Sequence, residues 1–365
     1  MYFLSSRKVI LTPQKYKPKV YIKRMKRIKK LSTPPRFISY SAVGGYEEKN
    51  GPLGSAFDLC DESDSFGQKT WETAEGEMGR CALNLALSKC NLSHEALELI
   101  VAGDLQNQCV ASSVGLDSFG APFLGIYGAC STCTEALLIL GTMIESGTIT
   151  TGACVTTSHN SAAERQFRTP LEYGGQRAPS AQWTSTAAGS FILSSDKELI
   201  SGSRFGNVEI SDVMIGRIVD GATADAANMG AAMSFAAAES IIEYFAESEM
   251  KPRDFDLIVT GDLGKVGSDI LRASLEERLP SAASRHIDCG TLLYDLKKQD
   301  AHSGASGCGT SASVLSAHFL PQLESGELSD ILFLSTGALM SPSSLLQGNT
   351  IKGIAPIIHL HSSER

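Results

Sequence analysis

Two stretches of this chain repeat one another across 150 intervening residues. Residues 98–105 read Glu-Leu-Ile-Val-Ala-Gly-Asp-Leu, and residues 256–263 read Asp-Leu-Ile-Val-Thr-Gly-Asp-Leu. A short apolar run closed by a polar turn predicts a strand buried on both faces. Each run follows a helical stretch with a capping signal. The first is Trp71 to Lys89 with a short segment from Ser93, and the second is 226–245 with Arg253-Asp254. A second correspondence lies downstream in the same order. Gly128-Ala129-Cys130-Ser131-Thr132 opens one apolar helix that ends in Glu-Ser-Gly, and Gly307-Cys308-Gly309-Thr310-Ser311 opens another with the same ending. An apolar strand follows each, at 152–157 and at 331–336.

Two matches in one order, at a period far too long for a solenoid, predict a duplicated α/β unit with pseudo-twofold symmetry. Packed together, such halves form an α-β-α-β-α five-layer sandwich, with a helix N-terminus from each half near the pseudo-axis. The expected domains are a half over 25–200 and a half over 201–365. In this register Cys130 and Gly309 are equivalent, so one half offers a thiol where the other offers bare backbone. Residues 162–186 interrupt the pattern and are expected to cap the site.

Charge marks off the first residues. All 40 acidic residues of the 365-residue chain lie beyond Tyr46, and the net charge is −8. A basic start can bind an anionic surface. We read 1–24 instead as a solvated arm, or as sequence ahead of a start at Met25, and expect no nucleic-acid partner. No apolar run approaches the roughly 18 residues of a membrane span, and no signal-peptide core is present. Nine scattered cysteines fit reduced thiols rather than a disulfide framework.

Cys130 is the strongest candidate for chemistry. A strand-to-helix turn would expose its thiol at a helix N-terminus, where the dipole favours a thiolate and free N–H groups can hold an oxyanion or a carboxylate. Cys130 and Cys133 also form a Cys-x-x-Cys pair, which permits a redox reading. His302, in a small-residue turn, is the candidate base or oxyanion donor. Asp104 and Asp262 end the paired strands, where α/β folds place ligands, although Asp after Gly also caps turns. His159, Ser343 and Ser344 occupy the loops after the next strands. Arg165, Arg168 and Arg177 are candidate carboxylate donors in the capping stretch. No phosphate loop, dinucleotide fingerprint or His-Glu-x-x-His sequence occurs, so no cofactor and no protein-bound metal is expected.

Gly-Ala-Cys-Ser-Thr at Cys130 and His302-Ser303-Gly304-Ala305-Ser306-Gly307 resemble the nucleophile turn and the His loop of the thiolase superfamily. Within it, residues 102–108 with Asn107, 157–168, 172–177, 259–268 and 336–342 resemble the stage V sporulation protein AD family. That resemblance implies a homodimeric thiolase-like fold. It also implies binding and uptake of dipicolinic acid, with or without calcium, into the developing spore. The implied location is the forespore, peripheral to the spore inner membrane, alongside membrane-embedded proteins of the same system. The implied ligand-binding set is Cys130, Asp104, Asn107, His159, Arg165, Arg168, Arg177, Asp262 and Gly309. The alternative is an active acyltransferase with Cys130 as nucleophile and His302 beside it. Thr260-Gly261-Asp262 and Gly309 stand where condensing enzymes keep His or Asn, so the catalytic set is incomplete and a binding role is expected.

Overall fold

The computed structural model describes residues 27–167 and 177–363. Ten strands frame it. The first half supplies β1 (Arg36–Gly44), β2 (Ile100–Gly103), β3 (Phe123–Gly125), β4 (Thr151–Ser158) and β5 (Ala187–Ser194). The second half supplies β6 (Val208–Met214), β7 (Leu257–Thr260), β8 (His286–Asp288), β9 (Asp330–Leu334) and β10 (Ile357–Ser362). Their spatial order is β3-β2-β4-β5-β1 in one half and β8-β7-β9-β10-β6 in the other. The pairings match as well: β2 is parallel to β3 and β4, as β7 is to β8 and β9. β5 and β10 return antiparallel. The repeated apolar runs are β2 and β7, at the same place in each sheet. The sheets meet edge to edge at one pairing, Arg36 opposite Glu209.

The helices that build the layers and the site are α1 (Trp71–Lys89), α2 (Val110–Leu116), α3 (Thr132–Glu145), α4 (Asn160–Phe167), α5 (Met229–Glu247), α6 (Gly264–Arg278) and α7 (Cys308–Val314). The Thr70 hydroxyl caps α1 by accepting the Thr73 amide. α5 begins at Met229 rather than at Ala226, because the Asn228 side chain accepts the Ala231 amide and sets the start.

Side-chain alternation along the strands assigns the layers. Val101, Cys154, Phe191, Val259, Phe333 and Ile358 point into one central cluster with Leu137, Leu140, Val314 and Phe319. Their neighbours Ile100, Ala102 and Ile192 point outward to Leu83 and Leu87 of α1. In the second half, Ile258, Leu332 and Ile357 point outward to α5 and α6. Helices α3 and α7 therefore lie between the two sheets, and α1, α2, α5 and α6 lie outside them, which makes five layers. Each large central side chain contributes on the order of 1.5–3 kcal/mol by burial. Of the central helices, α7 is buried at every residue, and its polar members are the small Thr310, Ser311 and Ser313, whose hydroxyls donate to backbone carbonyls one turn earlier.

The halves interlock through α7, which packs on β4 and β5 of the other half. Close approach demands glycine here. A Cβ on Gly309 would lie 2.1 Å from the Ala187 carbonyl oxygen and 2.6 Å from Ser158 Oγ. Among the described residues no helix is long and apolar enough to cross a membrane.

Candidate ligand site at the Cys130 turn

β3 leads into a tight turn in which Ala129 adopts φ +53°, a left-handed conformation that costs a residue with a Cβ about 1–3 kcal/mol. The turn is held from below. Ser131 Oγ donates to the Gly128 carbonyl at 2.6 Å, and Thr132 Oγ1 donates to the Ala129 carbonyl at 2.7 Å. The strain carries Cys130 to the pseudo-axis, where its side chain borders a narrow cavity of about 60 Å³. The wall is mainly apolar, with Tyr127, Phe167, Met229 and Met340 prominent; Thr184 and Ser306 add hydroxyls and Glu164 a carboxylate.

The chemistry at Cys130 differs from the thiolate expected of a helix N-terminus. The Ser131 and Thr132 amides are spent on the Gly128 and Ala129 carbonyls, at 3.1 and 3.3 Å. The thiol is almost wholly buried and lies under the influence of the Asp262 carboxylate. Burial first, and then the charge of Asp262, holds Cys130 well above the ordinary thiol range, so it is protonated at neutral pH.

Asp262 is itself buried, and burial pushes its carboxyl up to about 7. It accepts the Gly307 amide at 2.8 Å and the Thr336 hydroxyl at 3.0 Å. Gly307 has φ +103°, and a Cβ there would meet Ser158 Oγ at 2.7 Å, so only glycine presents that amide to the carboxylate. Asp104, its counterpart in the repeat, does something else. Its oxygens accept the Gln106 amide and both the amide and the hydroxyl of Ser112, all within 2.8 Å, bracing its own loop.

A sequence model of the stage V sporulation protein AD family matches residues 25–361. The curated stage V sporulation protein AD of Bacillus subtilis (strain 168) is 38% identical over 322 residues, which cover 88% of this chain and 93% of that protein. The chain belongs to the stage V sporulation protein AD family. Solved structures place this family member in the thiolase-like fold. The 3-oxoacyl-[acyl-carrier-protein] synthase III of Aquifex aeolicus superposes with a TM-score of 0.53 at 14% identity, covering 89% of this chain and 99% of that one. Cerulenin-bound OleA of Xanthomonas campestris superposes at 0.56 with 12% identity, covering 90% and 100%. At such identities the likeness establishes the fold alone.

The other anticipated residues of this family member scatter. The ring of His302 pairs with Asp300 at 3.2 Å and is not among the residues that line the cavity. Buried His159 bonds the Asp64 carbonyl at 2.9 Å and packs on Trp71 at 5.3 Å between ring centroids, again off the wall. Asn107 is exposed. Arg165 pairs with Glu72 at 2.9 Å, and Arg177 stacks on Trp183 at 4.6 Å while donating to the Asp300 carbonyl. Arg168 lies outside the described residues, as does the middle of the anticipated capping stretch. Gly309 serves packing between the halves, and Ser343 and Ser344 belong to a short capped helix off the wall. Cys133 is fully buried in the central cluster, with burial pushing its thiol up to about 12, which disfavours exchange with Cys130. Sequence reasoning looked for charged groups and missed the apolar wall. Its only trace was adjacency, since Phe167 and Met340 sit inside the segments that carry the family resemblance and Tyr127 directly precedes the Gly-Ala-Cys-Ser-Thr turn.

Proposed function

We propose that this protein binds dipicolinic acid in the cavity beside Cys130 and supports its uptake into the developing spore without catalysing acyl transfer. The observation that carries the non-catalytic reading is the Cys130–Asp262 pair. A nucleophile must be ionised or have a base within reach. Here the thiol is buried and protonated, the charge of the Asp262 carboxylate repels a second negative charge, and His302 pairs with Asp300. Dipicolinate follows from what the family resemblance implies. The wall suits a flat aromatic ring through Tyr127 and Phe167, with hydroxyls from Thr184 and Ser306. It contains no Lys or Arg among the described residues. That favours a ligand whose carboxylates arrive neutralised, as in a calcium chelate, over the bare dianion.

The same reading includes a homodimer acting at the spore inner membrane with membrane-embedded partners. β3 ends the sheet path with all three residues exposed, and Val110, Val114 and Tyr127 extend an apolar surface beside it. An unpaired apolar edge of this kind is commonly covered by a second copy.

The test is calorimetric titration with dipicolinate, with and without calcium, on wild type, Tyr127→Ala and Met340→Trp. Saturable binding that weakens at least about tenfold in both variants supports the assignment. Absence of binding in both conditions, or binding indifferent to both changes, overturns it. Acyl-thioester labelling of wild-type Cys130 would revive the acyltransferase alternative.

A further inference from the structure

At the opposite end of the second sheet lies a side-chain cluster that the Cys130 site does not use. β9 begins at Asp330, while Thr336, just past its other end, holds Asp262. β10 runs antiparallel beside β9 and places His359 and His361 on one side, two residues apart, with Asp330 directly across from His361. Asp330 Oδ1 is 2.8 Å from His359 Nε2 and 2.8 Å from His361 Nδ1. One ligand atom from each of the three lies within 4.8 Å of the others.

The arrangement is built from behind. His359 is only 5% exposed in its side chain, and its other ring nitrogen, Nδ1, bonds Asp212 Oδ2 at 3.1 Å. Asp212 is held in turn by the Tyr244 hydroxyl at 3.0 Å. A carboxylate behind a histidine fixes which nitrogen faces forward and raises its basicity, as it does behind many metal-bound imidazoles. Asp330, His359 and His361, together with Asp212, line a cleft of about 750 Å³ bounded by β6, β10, the segment from Ile28 and residues 247–254.

We propose that Asp330, His359 and His361 form a binding site for a divalent transition-metal ion of the zinc class, with Asp212 as the residue that orients His359. Bonds of about 2.0–2.2 Å to nitrogen and oxygen set ligand atoms roughly 3–3.6 Å apart, so small shifts of the three side chains admit the ion. On binding, the ion takes the place of the protons that His359 Nε2 and His361 Nδ1 hold toward Asp330; the first leaves to solvent, and the second leaves to solvent or is replaced by one on His361 Nε2 in the other tautomer. Two imidazoles and one carboxylate favour a borderline ion over calcium, which prefers an all-oxygen shell. Three protein ligands leave positions open toward the cleft for water or an anionic group. The ion would also clamp β9 to β10 at the rim of the sheet. Sequence reading expected no metal, because the His-x-His pair is 29 residues from Asp330 and carries no spacing signature.

The test uses the full chain without an affinity tag, stripped with chelator and titrated with Co²⁺ under reducing conditions, with no dipicolinate present. The readouts are calorimetry and the visible spectrum. The expected result is one saturable site with a nitrogen–oxygen spectrum. His361→Ala and Asp330→Asn should weaken it at least about tenfold, and Asp212→Asn by about 10–100-fold. Circular dichroism checks that each variant is folded; His361 is 38% exposed in its side chain, so its truncation is the safest of the three. Any of three results overturns the proposal: no saturable binding to wild type, affinity unchanged in folded His361→Ala, or a thiolate charge-transfer band showing that cysteines hold the ion. The first two would leave the cluster as a proton-linked ion network. None of these outcomes bears on the cavity at Cys130, whose failure is read by dipicolinate alone.

Discussion

Replacing Asp262 by Asn isolates the interaction that keeps Cys130 silent. The charge of the carboxylate repels the thiolate. Above pH 7 most Asp262 is ionised, since its carboxyl titrates at about 7. A unit charge at about 4 Å is worth about 4 kcal/mol at an effective dielectric constant of about 20. That corresponds to roughly three decades in acid dissociation. Burial of the thiol, the larger cause of its elevation, remains in the variant. The substitution should therefore lower the Cys130 pKa without bringing it to the ordinary thiol value. Asn also suits the site sterically. Its oxygen can accept the Gly307 amide, and its amide can donate to the Thr336 hydroxyl, so the turn should persist. The assay is alkylation with iodoacetamide from pH 7 to 10, with Cys130 followed by peptide mass spectrometry and the fully buried Cys154 and Cys289 as internal controls. The expected outcome is Cys130 labelling at least about tenfold faster at pH 8–9 in Asp262→Asn, with the controls unchanged. Superimposable profiles for wild type and variant would refute the argument that Asp262 suppresses the nucleophile.

Two further outcomes follow from buried charge and exposed edge. Burial raises Glu48 and Asp262 to about 7 and Asp288 to about 6, from ordinary values of 4.5, 3.8 and 3.8. The native state therefore binds more protons than the unfolded chain between those limits, and stability falls as pH rises through that interval, by about 1.4 kcal/mol per pH unit per group. Three histidines lowered by burial, His159, His286 and His318, oppose this below pH 6.5, while buried Glu75, raised to about 8, adds a further group to the fall. The urea midpoint should thus drop from pH 5.5 to 7.5, and a rise over that range would contradict the assignment of these carboxyls. At the sheet edge, Leu124→Lys places a charge on exposed β3 and should convert a dimer to a monomer in light scattering coupled to gel filtration. A wild-type monomer, or a variant that remains dimeric, would remove β3 from the interface.

Much of the fold was legible because strands buried on both faces leave a local mark. The Leu-Ile-Val runs that end in Gly-Asp announced β2 and β7, and their repetition announced two halves of one topology. Helix α1 was readable to its first residue because Thr70 is a local cap. α5 was misplaced by a turn, since an Ala-rich stretch looks helical before Asn228 actually starts the helix. The site was legible only at its centre. Cys130 could be singled out from its turn, but the ionisation state of its thiol could not, because that depends on Asp262, which is 132 positions away in the chain and adjacent in space.

The sequence by itself determined the duplication, the layer order and the family, all of which rest on local pattern and on residues in fixed register. Tertiary structure decided what equivalent residues do. Asp104 and Asp262 end identical Gly-Asp-Leu turns, yet one braces its own loop through Ser112 and the other meets Cys130 through Gly307 and Thr336. The physical reason is that a buried carboxylate takes whatever donors the surrounding elements bring, and those elements arrive from distant parts of the chain. The same holds for Asp330, His359 and His361, which only the antiparallel pairing of β9 and β10 brings together.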